Sequence, residues 1–127
     1  MANFVGIPDM NITLITPRTF AFRISYTIRY TPLELTFAQG FLESLALQES
    51  DDGEVFGGTD DTYGIVQPVA FRPASLRETR TFSFTRDIDS LGTESGAEEV
   101  YAVVAHRRNI PGLLFDTRRT LIFPLAA

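Results

Sequence analysis

The most restrictive feature of this sequence is a long stretch, Thr19 to Thr31, in which apolar and polar side chains alternate. Its apolar positions are Phe20, Phe22, Ile24, Tyr26, Ile28 and Tyr30, and its polar or small positions are Thr19, Ala21, Arg23, Ser25, Thr27, Arg29 and Thr31. Successive side chains of a β-strand point to opposite faces of the sheet, so the pattern predicts a strand with one buried and one hydrated face. Such a sheet is typically antiparallel and needs a second layer over its apolar side.

Other segments of the chain have strand-like patterns separated by turn residues. They run over 11–16, 63–71, 79–86, 100–106 and 113–123. In the first of these segments Leu14, and in the last Leu113 and Leu121, are expected to face the core. Pro68 cannot donate to a ladder, so its strand is expected at a sheet edge or at a bulge. The sequence therefore predicts one all-β domain over residues 1–127, an antiparallel two-sheet β-sandwich of seven or eight strands. Its expected core contains Phe22, Ile24, Tyr26, Phe82, Phe84 and Val104.

The segment from Thr31 to Ser50 allows two interpretations. Thr31-Pro32-Leu33-Glu34 has the form of a helical capping box, and the apolar residues that follow recur at helical spacing, which indicates a helix over 32–49. A partly different set shares one parity, as in two strands broken near Gln39-Gly40: Leu33, Leu35, Phe37, Phe41, Leu45 and Leu47. We expect strands, because the neighbouring segments are strands and a central glycine costs a helix about 1 kcal/mol relative to alanine.

The rhythm of the strands resembles that of immunoglobulin and fibronectin type III domains. In the closing hairpin of such a fold, a strand at 99–107 would pair with one at 115–123, and Tyr101 would serve as an anchoring aromatic residue. The chain has neither cysteine nor tryptophan, so the Cys…Trp…Cys signature of true immunoglobulin domains is absent. The resemblance implies a fold and no particular activity.

The composition narrows the range of partners. The formal net charge is −5, which disfavours nucleic-acid binding, since that depends on neutralising phosphates. All 11 basic residues are arginines, and without cysteine there can be no disulfide or thiolate zinc site. No signal peptide or transmembrane segment is evident, so we expect a cytoplasmic protein or a module excised from a longer chain. The expected partner is another protein or a second copy, with no nucleic acid and no membrane.

Two acidic loops, residues 49–62 and 87–99, are the candidate metal site. Calcium takes six to eight oxygen ligands, and loops at one end of a sandwich can supply them jointly. The candidate ligands are Asp51, Asp52, Asp60, Asp61, Asp87 and Asp89. The arrangement faintly resembles a C2 domain, which implies calcium-dependent binding. However, adjacent aspartates in an extended chain point to opposite sides, and Asp and Gly are common turn formers. Calcium is therefore the alternative hypothesis, and no other cofactor is expected.

The only histidine, His106, is the weakest of the catalytic candidates. A general base needs a nucleophile within reach, and although Ser83 or Ser95 with Asp116 can be imagined, no spacing or nucleophile-elbow motif supports them. We expect His106 to be a surface residue or a hydrogen-bonded structural one. The sequence thus predicts a non-catalytic interaction or structural module that acts through edge strands and loop surfaces and is capable of self-association. The calcium-dependent binding module is the alternative.

Overall fold

The computed structural model describes residues 2–49, 62–87 and 98–125, and in these residues the chain is an antiparallel two-sheet β-sandwich. The strands are β1 (Asn3–Phe4), β2 (Asp9–Thr16), β3 (Thr19–Arg29), β4 (Phe41–Glu49), β5 (Thr62–Phe71), β6 (Arg77–Asp87), β7 (Glu98–Arg108), β8 (Asp116–Arg119) and β9 (Phe123–Leu125). No helix in these residues is long and apolar enough to cross a membrane. The predicted fold class is confirmed.

The first sheet is centred on β3, the alternating strand of the sequence. It pairs with β1 and β2 along one side and with β6 along the other. The apolar positions of β3 are all buried, because they face the second sheet, while its opposite face carries the polar side chains. The pairing of β3 with β6 runs from Thr19 opposite Asp87 to Arg29 opposite Arg77 without a register shift.

The second sheet has the order β5-β4-β7-β8, and β9 also pairs with β7. The pairing predicted for the last two strands is confirmed, since β7 pairs with β8 and then β9. Strand β5 pairs with β4 alone in the described residues, and the register shifts between Glu43 and Leu45, opposite Val69 and Val66. Pro68 lies at this shift, so its strand is both an edge and bulged, as predicted.

The core lies where the inner faces of the two sheets meet. Five of the six predicted core residues are buried, namely Phe22, Ile24, Tyr26, Phe82 and Val104, and the sixth, Phe84, packs partly buried against them. Phe22 and Phe84 stack across β3 and β6 with ring centroids 5.2 Å apart. Aromatic pairs of this kind add to the stabilisation gained from area burial.

The capping box at Thr31 forms, but the α-helix that it favours does not. Glu34 accepts a hydrogen bond from the Thr31 backbone N–H (2.8 Å), and the Thr31 hydroxyl accepts one from the Glu34 N–H (3.3 Å). The helix is a 3-10 turn over Glu34–Thr36, ending where Phe37 adopts extended dihedrals. Gly40 then has a φ of +66° and lets the chain enter β4. The expected strand is confirmed after Gly40 and wrong before it.

Three residues expected to face the core are instead exposed. Leu14, Leu113 and Leu121 have 45%, 46% and 63% of their surface accessible. The single last strand predicted over 113–123 is also wrong, because the chain leaves the sheet between β8 and β9. There the Thr120 hydroxyl accepts a hydrogen bond from the backbone N–H of Ala102 in β7. This N–H therefore has a partner even though Thr120 belongs to neither β8 nor β9. Parity predicts the buried face only where a strand continues unbroken.

Candidate interaction surface

A buried polar cluster crosses the interface between the sheets. Glu43 of β4 is 5% exposed and accepts hydrogen bonds from the Tyr26 hydroxyl and from Nε and Nη2 of Arg80. The Arg80–Glu43 ion pair measures 2.7 Å, and the Arg80 guanidinium also lies 4.0 Å from the centre of the Phe71 ring. The hydrogen bond to Glu43 raises the pKa of Arg80, and burial together with Glu43 raises that of Tyr26. These contacts join β3, β4 and β6.

His106 lies beside this cluster and is 3% exposed. Its Nε2 is 2.9 Å from the Tyr30 hydroxyl, and its ring stacks on Phe41 with centroids 5.0 Å apart. Burial lowers the pKa of His106 to about 4, in spite of Glu43, Asp116 and Glu34, which act to raise it. The imidazole is therefore neutral at physiological pH. Of the two expected environments, the hydrogen-bonded structural one is confirmed and the surface one is wrong.

The imagined catalytic arrangement around His106 is not assembled in the described residues. Ser83 is exposed on the outer face of β6, whereas His106 is buried between the sheets. Asp116 is its register partner on β8, but no hydrogen bond joins the two side chains. The third member of that arrangement, Ser95, lies outside the described residues.

A cavity of about 460 Å³ opens at this end of the sandwich. His106 and Phe37 line its interior, and Arg108, stacked 3.5 Å above the Phe37 ring, lines it together with Asp116 and the exposed Leu114. The volume lies in the range of small-molecule sites. Its lining contains both acidic and basic side chains, so its charge favours neither anions nor cations.

The outer face of the first sheet is a polar surface without large apolar side chains on β3 and β6. Hydroxyl groups connect the two strands: Ser25 with Thr81 at 3.0 Å and Thr27 with Thr79 at 2.9 Å. At one end the Thr19 hydroxyl donates to Asp87 at 2.9 Å. Cross-strand pairs of this type hold a sheet in register. Strand β6 is therefore regularly paired along the edge that adjoins β3.

The opposite side of β6 is a free edge in the part of the chain that the structure describes, where β6 pairs with β3 alone. The other edges are less regular. Strand β5 contains Pro68 and register shifts, β2 is irregular between Leu14 and Thr16, and β8 has 4 residues. Strand β6 has 11 residues and contains no proline. An unpaired edge of this length is a template for another strand.

The orientation of the β6 backbone follows from one hydrogen bond. The Tyr30 N–H donates to the Leu76 carbonyl at 2.7 Å, in the same register as the rest of the pair. Hydrogen-bonded pairs recur at every second residue of an antiparallel ladder, so the even-numbered residues of β6 bond to β3. The N–H and C=O groups of the odd-numbered residues therefore point away from the sheet. They belong to Arg77, Thr79, Thr81, Ser83, Thr85 and Asp87.

Two of these outward carbonyls accept hydrogen bonds from side chains of the same protein. Ser75 donates to the Arg77 carbonyl at 2.8 Å, and Nη1 of Arg86 donates to the Thr85 carbonyl at 2.8 Å. Both donors lie on the surface and can be displaced by a backbone N–H from another strand. The contacts support the assignment that these carbonyls face outward.

Most of the candidate calcium ligands lie outside the described part of the chain. Asp51, Asp52, Asp60, Asp61 and Asp89 lie outside the described residues, and only Asp87, at the end of β6, lies within them. Within residues 2–49, 62–87 and 98–125, no group of three His, Cys, Asp or Glu side chains could hold a metal ion. The calcium site stays a prediction.

Sequence reasoning anticipated edge strands in general but did not single out β6 as the open one. Its strand pattern was visible, but which strands flank it is a property of the tertiary pairing. Glu43 was also missed, because a carboxylate among leucines and phenylalanines does not reveal where its partners lie. An apolar strand with one acidic inward position is a signal for a buried ion pair. No protein-family model matches the sequence, and a search of curated proteins finds no significant match.

Proposed function

We propose that the protein is a non-catalytic interaction module that binds a protein partner by addition of an extended strand to the edge of β6. The observation that carries this proposal is the unshifted ladder from Thr19–Asp87 to Arg29–Arg77, which leaves the opposite side of an 11-residue strand open in the described residues. Strand addition obtains affinity from main-chain hydrogen bonds and specificity from alternate side chains.

The titratable groups of the interior support a structural role. Glu43 holds Tyr26 and Arg80, and His106 holds Tyr30, so these polar groups satisfy one another within the core. These hydrogen bonds join the two sheets, so the groups that make them are engaged in holding the fold together. A fully satisfied buried network makes a core more rigid and specifies its packing. Such an arrangement suits a scaffold that presents its edges.

The experiment removes one outward N–H from β6. Peptides that bind the protein are selected from a displayed library of strand-length sequences, and their affinities are measured by fluorescence anisotropy. Thr81→Pro deletes an outward donor while the ladder with β3 uses the even-numbered residues, so we expect it to abolish peptide binding. Thr81→Val is the matched control, because it also loses the hydroxyl contact with Ser25 but keeps the N–H.

Hydrogen exchange provides a second measurement that does not depend on the proline variant. Bound peptide should slow exchange at the outward amides of Thr79, Thr81, Ser83 and Thr85, while the amides paired with β3 change little. Peptides that bind Thr81→Pro and wild type equally, or that protect another edge, would refute the proposal.

A further inference from the structure

We infer that the strand added to β6 is the β6 strand of a second copy, paired antiparallel about a two-fold axis through Phe82. This inference rests on the proposed function and names its partner. A two-fold interface must be complementary to itself, because each residue meets the same surface in the other copy. The sequence of β6, RETRTFSFTRD, carries one arginine and one acidic residue at each end, Arg77 with Glu78 and Arg86 with Asp87.

Centring the pair on Phe82 places every charge at the strand ends opposite its complement. Arg77 faces Asp87 of the second copy, and Glu78 faces Arg86 of the second copy. Closer to the axis, Thr79 meets Thr85, Thr81 meets Ser83 and the two Phe82 side chains adjoin. Opposite charges directly across strands stabilise a pair, and like charges destabilise it. The symmetry repeats each contact, so the charge pairs act twice.

The neighbouring registers that keep the same backbone parity are less favourable. Moving the axis to Ser83 sets Arg80 against Arg86 of the second copy. Moving it to Thr81 sets Arg77 against Thr85 and Glu78 against Phe84, so the charges lose their complements. Moving it to Arg80 sets that arginine against itself. Only the register through Phe82 joins opposite charges at both ends of the strand, which specifies the alignment.

Hydrogen bonding is consistent with the same register. The outward N–H and C=O groups belong to the odd-numbered residues, and an axis through Phe82 brings odd-numbered residues opposite one another. The polar outer face then continues from one copy to the other as rows of threonine and serine. On the inner side Arg80 is already held by Glu43 and Phe71, so the second copy meets its alkyl stem with Phe84 and leaves the buried ion pair intact.

The inference predicts a concentration-dependent dimer that responds to charge at the strand ends. Analytical ultracentrifugation over a wide concentration range gives the dimer Kd. Arg77→Asp creates two like-charge contacts with Asp87 of the second copy, and we expect it to raise the Kd about tenfold or more. Asp87→Arg should do the same. Combining Arg77→Asp with Asp87→Arg reverses both charges and should restore dimerisation.

The Arg77 variant is the cleaner of the two single variants, since Asp87→Arg also removes the hydrogen bond from the Thr19 hydroxyl. Arg77 lies opposite Arg29 on the outer face, so an aspartate there gains an attractive neighbour within its own sheet. Arg23→Asp is the matched control: it makes the same charge change on the same face, but on the central strand β3. The native chain contains no cysteine, so a mixture of Thr81→Cys and Ser83→Cys proteins should form a mixed disulfide. The separation of such paired Cα atoms, about 5.5 Å, permits this bond.

The outcomes separate the two proposals. Three results would overturn the inference. The protein could be a monomer at every concentration, the dimer Kd could be unchanged by both single charge reversals, or the double variant could stay monomeric. In each case the proposed function survives if selected peptides still require the Thr81 N–H. Loss of that requirement overturns the proposed function as well. A dimer that weakens with each reversal, recovers in the double variant and forms the mixed disulfide supports both.

Discussion

Replacing the buried His106–Tyr30 pair by two phenylalanines should remove a large part of the acid sensitivity of this protein. The perturbation is the double substitution His106→Phe with Tyr30→Phe, which replaces both partners of a buried hydrogen bond by rings suited to the aromatic surroundings. Removing both partners together leaves no unsatisfied group, so stability at neutral pH should change little. The two proteins should differ in free energy of unfolding once the pH is lowered.

The magnitude follows from linkage. Burial lowers the pKa of His106 from 6.5 to about 4 in the folded protein. The neutral form is therefore favoured by folding. The contribution of the neutral imidazole to the free energy of unfolding is complete above about pH 6.5. It falls as the pH drops, because His106 binds a proton in the unfolded chain but not in the native protein. Below about pH 4 both states are protonated and the loss stops. The interval corresponds to about 3 kcal/mol.

The assay is urea unfolding followed by far-ultraviolet circular dichroism at a series of pH values from about 7 to about 4. Carboxylates titrate in this range too, so the informative quantity is the difference between proteins. Wild type should lose about 3 kcal/mol more than the double variant. Tyr30→Phe alone keeps His106 and should retain the wild-type pH dependence. Since His106 is the only histidine, its ring resonances can also be titrated directly. Equal pH dependence in wild type and double variant would refute the reasoning.

Three further predictions concern backbone fit, the buried ion pair and calcium. Gly40→Ala places a Cβ against the Phe71 carbonyl at a positive φ and should lower the free energy of unfolding by about 3 kcal/mol. Gly112→Ala, at a positive φ with no atom within 4 Å of the new Cβ, should lower it by about 1 kcal/mol. Equal losses of the two variants in urea unfolding would contradict this prediction. Arg80→Met leaves Glu43 buried without its cation and should cost about 3 kcal/mol. Much of this loss should be recovered when Glu43→Leu and Tyr26→Phe are added, because the triple variant leaves no member of the network without its partner; failure to recover would show that the side chains act separately. Under the proposed function, millimolar calcium should leave the melting temperature unchanged, and an increase that disappears when the acidic-loop aspartates become asparagine would favour the alternative.

Local sequence was a sound guide wherever one strand persisted long enough for its parity to be expressed. Strand β3 illustrates this, because its apolar positions are buried and its polar positions form the opposite face. The guide failed where the chain leaves the sheet. Leu121 has the parity of a core residue, but it lies in the break between β8 and β9 and is exposed. The capping box at Thr31 formed as its residues require, yet the helix ends after a single 3-10 turn, where Phe37 adopts extended dihedrals.

The sequence alone determined the class of fold and the buried face of the unbroken strands β3 and β6, because alternation is a property of neighbouring residues. Tertiary structure decided which strand lies at an open edge and where the buried charges find their partners. Those depend on contacts between residues far apart in the chain, such as Arg80 with Glu43 and Tyr30 with His106. Complementary charges at the two ends of β6 were always present in the sequence. Their importance for self-pairing follows only from the fold, which leaves the edge of β6 opposite β3 unpaired in the described residues.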